Sequence, residues 1–315
     1  MSKNYNFGFD VSGLAEYIDQ SEDLISKVIY AAQTLQIPGI SRIPGKKHDF
    51  KLTRQDNEVY FQDLACGWNT SGSTSFDQVT IPVTPLMIQE ALCPTDFDDK
   101  YLGVLSAAGS TPETFPYEQF IIEMKTDKMT SEIDKMAWLG NTTSGTGNLA
   151  KVDGWLSFIS GSTTDVYVAA ASGTSTASTI IAQVEAIVAN VDERIYTAED
   201  LTIFMSIAKY RLLVNAQKKE NLYNYNVGLD GKSLETTIDV DGVKVMGLHA
   251  LRGTNNILCT TLSNMIFATD LLDETDYIDS WYEKKERQVL VAGAMKLGFG
   301  FEYDWMVVHN NADLV

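Results

Sequence analysis

Glycine-rich segments are the first places where this sequence could do chemistry, because glycine loops can cradle phosphate groups. The uncharged segment 140–147 has the glycine content of such a loop. A phosphate-binding P-loop, however, carries lysine and then serine or threonine after its last glycine, and Asn148 and Leu149 stand there instead. Segment 293–300 lacks the spacing of a dinucleotide-binding fingerprint. We therefore expect a flexible connector at 140–147 and strand glycines that permit close packing at 293–300.

Titratable side chains form no complete reactive set in the sequence. Two acidic clusters could attract a divalent cation, but the first lacks the glycine and glutamate of a calcium loop, and exposed loops or a helix start explain both. Their members are Asp96, Asp98 and Asp99, and Asp273, Glu274, Asp276 and Asp279. The histidines are His48, His249 and His309, none beside a nucleophile motif. A Ser-His-Asp arrangement, whose members need not be adjacent, stays open. We predict no catalytic, cofactor-binding or metal-binding residue.

The composition of the chain limits the classes of protein to which it can belong. The chain has 315 residues, of which 44% are hydrophobic, so one large domain or two intertwined domains can bury a sizeable core. A net charge of −18 argues against a protein that grips nucleic acid through a broad basic face. The three cysteines are widely spaced, which favours isolated thiols in a reducing compartment. We expect neither a secretory signal nor a membrane-spanning segment.

The first elements that the sequence predicts are a helix and a hairpin. Apolar residues recur at helical spacing from Leu24 to Leu35, behind a cap at Ser21. Residues 45–62 then indicate a hairpin, followed by a strand at 78–84. Because the hairpin has few apolar residues, we expect it to project and to pack on something else. Its polar tip, a candidate inter-subunit contact, is predicted at Arg54, Gln55, Asp56 and Asn57.

A long amphipathic helix is predicted at about 112–139. Twenty or more helical residues span about 30 Å. A compact apolar block follows at 152–159. The apolar residues that share one helix face, and that we expect to pack on a sheet, are Ile122, Met129, Ile133 and Met136.

The remaining elements alternate between helix and strand. Helices are predicted at 176–191 and 207–217, with a buried strand at 201–205 between them. A hairpin at 236–246 turns at Asp241 and Gly242. Residues 289–308 are strand-rich. The fold class is therefore α+β.

This order of elements resembles the major capsid protein of tailed phages, which has the Hong Kong 97-like fold. The sequences similar to that family are Met136-Ala137-Trp138-Leu139-Gly140-Asn141, Asp153-Gly154-Trp155-Leu156, Leu251-Arg252-Gly253-Thr254, and Asn264 through Leu271. The resemblance implies an N-terminal arm (1–40), an E-loop region (41–84), a P-domain containing a spine helix (85–175), an A-domain (176–276), and C-terminal strands that return to the P- and A-domains (277–315).

The resemblance also implies a function. The chain would be a structural, non-enzymatic subunit of an icosahedral shell around double-stranded DNA, located in the virion and assembled in a bacterial cytoplasm. Its partners would be copies of itself in hexamers and pentamers, portal and scaffold or decoration proteins, and DNA held only non-specifically. No cofactor and no membrane partner are expected. The alternatives are an encapsulin-type compartment shell, which the neighbouring genes would distinguish, and a soluble α+β enzyme, which would have a pocket with convergent polar groups.

Overall fold

In the part of the chain that the structure describes, the fold consists of two β-sheets, a separate two-stranded ribbon and helices that cover the sheets. A computed structural model describes residues 34, 37–64, 66–67, 71–92, 117–160, 162, 164–219, 238–240, 242–270, 278–283, 285 and 288–310. Its strands are β1 (Ser41–Ile43), β2 (Phe50–Glu58), β3 (Ser73–Ile81), β4 (Thr84–Leu92), β5 (Val166–Tyr167), β6 (Leu201–Ser206), β7 (Ile238–Val240), β8 (Val243–Leu248), β9 (Ile257–Thr261), β10 (Met265–Thr269), β11 (Ile278–Glu283), β12 (Gln288–Phe301) and β13 (Val308–His309). Its α-helices are α1 (Tyr117–Leu139), α2 (Trp155–Ser160), α3 (Ile180–Val188), α4 (Glu193–Tyr196) and α5 (Ile207–Lys219).

The first sheet is organised around β12, the 14-residue strand near the end of the chain. This strand pairs antiparallel with β4, β10 and β11, and β1 pairs parallel with β10. Alternate residues of β12, from Val291 to Phe301, are buried beneath α1 and α2, as the period of two in a strand requires. The sheet therefore has one face that forms a core with the helices.

Aromatic rings fill that first core. The Trp155 ring meets Trp138 edge-on at 5.1 Å between centroids, and Phe299 of β12 at 5.2 Å. The Trp155 indole N–H also donates to the carbonyl oxygen of Ile266, at 3.2 Å. Phe204 of the second sheet lies 5.2 Å from Trp138, so the same core joins the two sheets.

The loop between α1 and α2 is tightly closed, and it is not the flexible connector that its composition suggested. The Gly154 amide donates to the carbonyl oxygen of Gly140 at 2.9 Å. A Cβ atom at Gly140 would lie 2.6 Å from the carbonyl oxygen of Met136, so only glycine fits there. The Asp153 carboxylate accepts from the Thr142 amide (2.7 Å) and hydroxyl (2.9 Å). These bonds fix α2 against the end of α1, which brings the two tryptophans together.

The second sheet has the strand order β5-β13-β9-β6-β8-β7. Every residue of β6 is buried, and α3 and α5 contribute to a mainly aliphatic core beside it. The predicted strand, second helix and hairpin turn agree with β6, α5 and the β7–β8 connection, where Gly242 has a φ of 82°. Helix α3 is shorter than predicted, because residues 177–179 form a turn before it.

The ribbon is formed by β2 and β3, which pair antiparallel over nine residues each. The prediction of a turn at Arg54–Asn57 is wrong, because Arg54 pairs with Asp77 and Asn57 with Thr74 inside this ladder. The connection lies instead within 59–72, and it ends at Gly72, whose φ is 107° and where a Cβ would lie 2.7 Å from the carbonyl oxygen of Glu58. The predicted strand at 78–84 is likewise divided between β3 and β4.

Several predictions lie outside the described residues. These are the helix at 21–35 apart from Thr34, the start of the long helix at 112–116, and the acidic clusters apart from the backbone of Asp279.

Candidate assembly surfaces

His309 and Cys259, two side chains that could have formed part of a reactive site, are buried in the interior of the protein. His309 is buried, where its imidazole contacts the Asp165 carboxylate beside the β5–β13 pairing. Burial raises the pKa of the Cys259 thiol to about 12, so this thiol stays protonated. Across the described ranges, no group of three or more histidine, cysteine, aspartate or glutamate residues could hold a metal ion. No helix in the part of the chain that the structure describes is long and apolar enough to cross a membrane.

The most unusual surface is the tip of the ribbon, the connection between β2 and β3. Val59, Tyr60, Phe61 and Leu64 are exposed there, and Phe61 and Leu64 have essentially their full surface in contact with solvent. A soluble monomer seldom exposes several large apolar side chains in one short segment. The tip therefore has the composition of a contact surface.

The base of the ribbon is fastened to the first sheet through two glycines of β12. A Cβ at Gly298 would lie 2.5 Å from the carbonyl oxygen of Pro82, and one at Gly300 would lie 3.1 Å from the Ile81 side chain, which is fully buried. The Asp49 carboxylate also accepts from the Val83 amide at 2.9 Å. This geometry confirms the predicted close packing at Gly298 and Gly300, and it fixes the point from which the ribbon projects.

Arg54, in the middle of β2, is a second fastening point for the ribbon. Its guanidinium lies 3.5 Å from Asp304 and 3.9 Å from Asp77, and 5.2 Å from the centre of the Tyr303 ring. The side chain is 15% exposed. The structure thus places the predicted tip residue Arg54 against the body of its own chain, because it faces the same side of β2 as Phe50 and Leu52.

The other predicted tip residues lie along the middle of the ribbon. Gln55, Asp56 and Asn57 are exposed, and Gln55 donates from its side-chain amide to Asn57 at 2.9 Å. The sequence did contain a signal for the true tip, namely the apolar run from Val59 to Phe61 in polar surroundings. That run was assigned to the second strand of the predicted hairpin, whereas it lies beyond the ladder.

The four residues predicted to share a face of the long helix lie on the core side where their side chains are described. Ile133 and Met136 are buried in the first core, and Met129 is partly buried against it. The side chain of Ile122 lies outside the described residues.

A groove of about 280 Å³ runs between α1 and β4, beside this helix face. Its polar lining residues are Lys128, Glu132, Asn148 and Lys151. The rest of the lining is apolar and consists of Leu86, Met87, Ile88, Met129, Ile133, Met136 and Met295. Hydrogen bonds from Lys128 above all, and from Lys135 and Asn148, lower the pKa of Glu132 to about 2. Glu132 offsets one of the two lysines that line the groove, so one net positive charge remains there.

Solved structures decide the fold, because no protein-family model matches the chain and no curated protein matches it. The chain is similar to a protein of the satellite phage P4 procapsid that includes the size determination protein, with a TM-score of 0.58 and 12% identity over 92% of this chain and 98% of that chain. It is similar to the capsid of Myoviridae phage XM1, with a TM-score of 0.57 and 16% identity over 90% and 92%. The chain has the fold of phage capsid proteins.

The chain is also similar to a virus-like particle from Pyrococcus furiosus, with a TM-score of 0.50 and 9% identity over 93% of this chain and 99% of that chain. The expected α+β class and the resemblance to a phage capsid protein are confirmed, since nearly the whole of each compared chain takes part in the match. At these identities the similarity concerns the fold alone.

Proposed function

We propose that this chain is the major capsid protein of a tailed phage, which assembles into the hexamers and pentamers of an icosahedral shell around double-stranded DNA. In this proposal the ribbon is the E-loop and α1 is the spine helix of the P-domain. The first sheet belongs to that P-domain, and the second sheet with α3 and α5 forms the A-domain. Portal and scaffold or decoration proteins would be further partners, and assembly would take place in the host cytoplasm.

The observation that carries this proposal is the exposed apolar tip of a ribbon that has no core of its own. No residue of β2 is buried, and only Ile81 is buried in β3. Burial of a side chain the size of Phe61 or Leu64 contributes about 1.5–3 kcal/mol, and 1.4 kcal/mol changes an association constant tenfold. A neighbouring copy that covered the tip would therefore gain affinity from each of these residues.

The groove between α1 and β4 has the character needed to receive such a tip from another copy. The groove is apolar with Lys128 and Lys151 at its edge, whereas the tip is apolar with acidic residues close by, including Asp56, Glu58 and Asp63. Opposite charges at the two surfaces would guide encounter and fix orientation. Tip and groove are different surfaces of the chain, so the contact is head-to-tail, and such contacts generate closed rings when the rotation closes.

The second candidate is a compartment shell of the encapsulin type, which the similarity to the virus-like particle favours. Both candidates require assembly, and they differ in what the particle contains. Particles purified from the native source would hold double-stranded DNA under the first proposal and protein cargo under the second. Nuclease-protected DNA of genomic length supports the phage capsid, and cargo enzyme without DNA supports the compartment.

The experiment compares the full chain with a variant of the tip. The wild-type chain is expected to form rings, tubes or shells in negative-stain electron microscopy. Phe61→Asp/Leu64→Asp should remain folded, because both side chains are exposed, but should stay monomeric, because a charged tip cannot enter an apolar groove. The control variant, Gln55→Asp/Ser75→Asp, adds the same charge in the middle of the ribbon and should still assemble.

Cys66 provides a second measurement at the same place. This thiol is exposed beside the tip, whereas Cys259 is buried. In a Cys93→Ser background, maleimide should label Cys66 quickly in the monomer and slowly in the assembly, while Cys259 reacts only after unfolding. If the tip variant assembles and maleimide labels Cys66 in the assembly as quickly as in the monomer, the proposed role of the tip is wrong. If the wild-type chain stays a compact monomer under all assembly conditions, the shell function itself is wrong.

A further inference from the structure

The Arg54 guanidinium lies between two carboxylates that belong to different parts of the molecule. Its Nη1 is 3.9 Å from Oδ2 of Asp77, which is its partner on β3 of the same ribbon. Its Nη2 is 3.5 Å from Oδ1 of Asp304, which stands on the crossing from β12 to β13. Charge-assisted hydrogen bonds are shorter, at about 2.7–2.9 Å. The guanidinium is therefore near both carboxylates and hydrogen-bonded to neither.

Buried polar atoms of this pair lack partners. Nε and Nη2 of Arg54 and Oδ1 of Asp304 make no hydrogen bond with any residue that the structure describes. Proteins pair nearly all of their buried polar atoms, because an unpaired one has lost its water without replacement. Nε and Nη2 form one side of the guanidinium fork, which is the geometry that holds a carboxylate through two parallel bonds. The contact between Arg54 and Asp304 is thus a bidentate pair that has not closed.

The body of the chain holds its side of this pair firmly. The Tyr303 amide donates to Oδ1 of Asn264 at 2.7 Å, and the Asn264 side-chain amide donates to the Tyr303 carbonyl oxygen at 2.9 Å. Asn264 is itself buried. The Asp304 carbonyl oxygen accepts from the Val307 amide at 2.9 Å. Because Asp304 stands on a turn fixed in this way, closing the pair requires a movement of the ribbon.

The ribbon has both the freedom and the space for such a movement. A rise of about 3.4 Å per residue puts Arg54 about 14 Å along the ribbon from Phe50, whose partner Ile81 packs on Gly300 at the base. An open pocket of about 360 Å³ lies beside Asp304, and Pro82, at the end of β3, also lines it. A tilt that moves Arg54 by about 0.7 Å would bring Nη2 to hydrogen-bond distance.

We propose that Arg54 is a switch between two positions of the ribbon. In the seated position, Nε and Nη2 donate to Asp304, and the ribbon is fastened to the body in its middle as well as at its base. In the released position, the guanidinium bonds to Asp77 within the ribbon, which is then held only at its base. The two carboxylates compete for one guanidinium, so their balance sets the position. The switch uses contacts within one chain and stands independently of the proposed shell function.

Proton–nitrogen NMR of the full chain tests the switch, in the Phe61→Asp/Leu64→Asp background so that assembly does not interfere. The amides of Leu52 and Val79 report on the ribbon, because they lie between Arg54 and the base. Asp304→Asn removes the carboxylate of the body and should shift both signals toward the released position. Asp77→Asn removes the carboxylate of the ribbon and should shift them in the opposite direction along the same line, as a change in two exchanging populations requires.

Arg54→Gln separates a switch from two independent contacts. In an Arg54→Gln chain, Asp77→Asn and Asp304→Asn should no longer move the signals of Leu52 and Val79, because the coupling passes through the guanidinium. The matched control, Asp63→Asn in the chain that keeps Arg54, removes the same charge from an exposed position beyond the ladder and should leave both signals in place.

Three results would overturn the switch. Asp77→Asn and Asp304→Asn could move the two signals in the same direction, they could move neither signal, or their opposite shifts could persist in Arg54→Gln. Each variant is expected to remain folded, because asparagine keeps the shape of aspartate and Arg54 contributes no apolar core contact.

Discussion

The ribbon and the first sheet use strands of comparable length in opposite surroundings. β2 and β4 have nine residues each, but no residue of β2 is buried, whereas β4 lies against the fully paired β12 and contributes Leu86 and Ile88 to the margin of the first core. The ribbon keeps its backbone hydrogen bonds and lacks a hydrophobic face. An isolated two-stranded hairpin is only marginally stable in water, so its order depends on its base and on what covers its tip.

This difference shows which contacts serve the chain itself and which are left for another molecule. The first sheet obtains its burial from α1, α2 and the aromatic cluster within one chain. The ribbon places its largest apolar residues where the chain itself does not cover them. Substitutions in the two regions should therefore separate folding from assembly.

The largest effect on stability is expected from Trp155→Ala, which disrupts the core beside the first sheet. It removes a fully buried ring that contacts Trp138 and Phe299 and leaves the carbonyl of Ile266 without its donor. The free energy of unfolding should fall by about 3–5 kcal/mol, measured by urea denaturation. A decrease of less than about 1 kcal/mol in the free energy of unfolding would show that this core does not hold the fold together. The tip variant Phe61→Asp/Leu64→Asp, which changes exposed side chains, should remain folded and serves as the comparison.

An intermediate effect is expected where the two regions meet, at Gly298→Ala. The added Cβ forces the carbonyl oxygen of Pro82 away from β12, and overpacking of this kind costs about 1–3 kcal/mol. Hydrogen exchange should show lower protection of the Val83 amide, which donates to Asp49. Ala294→Ser, at a half-buried position of the same strand, should change stability by less than about 0.5 kcal/mol. An unchanged Val83 amide in Gly298→Ala would contradict the close approach.

The smallest effect is expected from Arg54→Gln, within the ribbon. The substitution removes the ion pair with Asp304 and the cation beside the Tyr303 ring, and should cost up to about 1 kcal/mol of stability. Lys51→Gln removes the same charge from an exposed position of β2 and should be close to neutral. Equal effects of the two variants in urea denaturation would mean that Arg54 does not fasten the ribbon.

Elements with strong local patterns could be predicted from the sequence. The buried strand β6 and helix α5 have clear apolar runs, and the β7–β8 turn has its glycine at Gly242. The order of such elements was also sufficient for the resemblance to a phage capsid protein. These features depend on neighbours in the sequence, so a reading of one segment at a time can find them.

Elements defined by distant partners could not be predicted. Strand β4 begins with Thr84 and Pro85 and has no clear alternation, and only its pairing with β12, about 200 residues later, makes it a strand. The true end of the ribbon was missed because the outer part of its ladder, 55–58 and 73–78, is exposed on both faces and the period of two is absent there. The hydrogen bonds of Thr34 to Asp134 and Trp138 likewise depend on two positions about 100 residues away.

The central place of β12 has a consequence for the timing of biosynthesis. β4, β10 and β11 all form their ladders with this strand, which follows all three in the chain. A ribosome therefore synthesises β12 after its partner strands, and the first sheet cannot close before then. Until then α1 has no finished sheet to cover, and its apolar residues remain open to holdase chaperones. Long-range pairing of this kind is also slow to form, so the first sheet is completed late in folding.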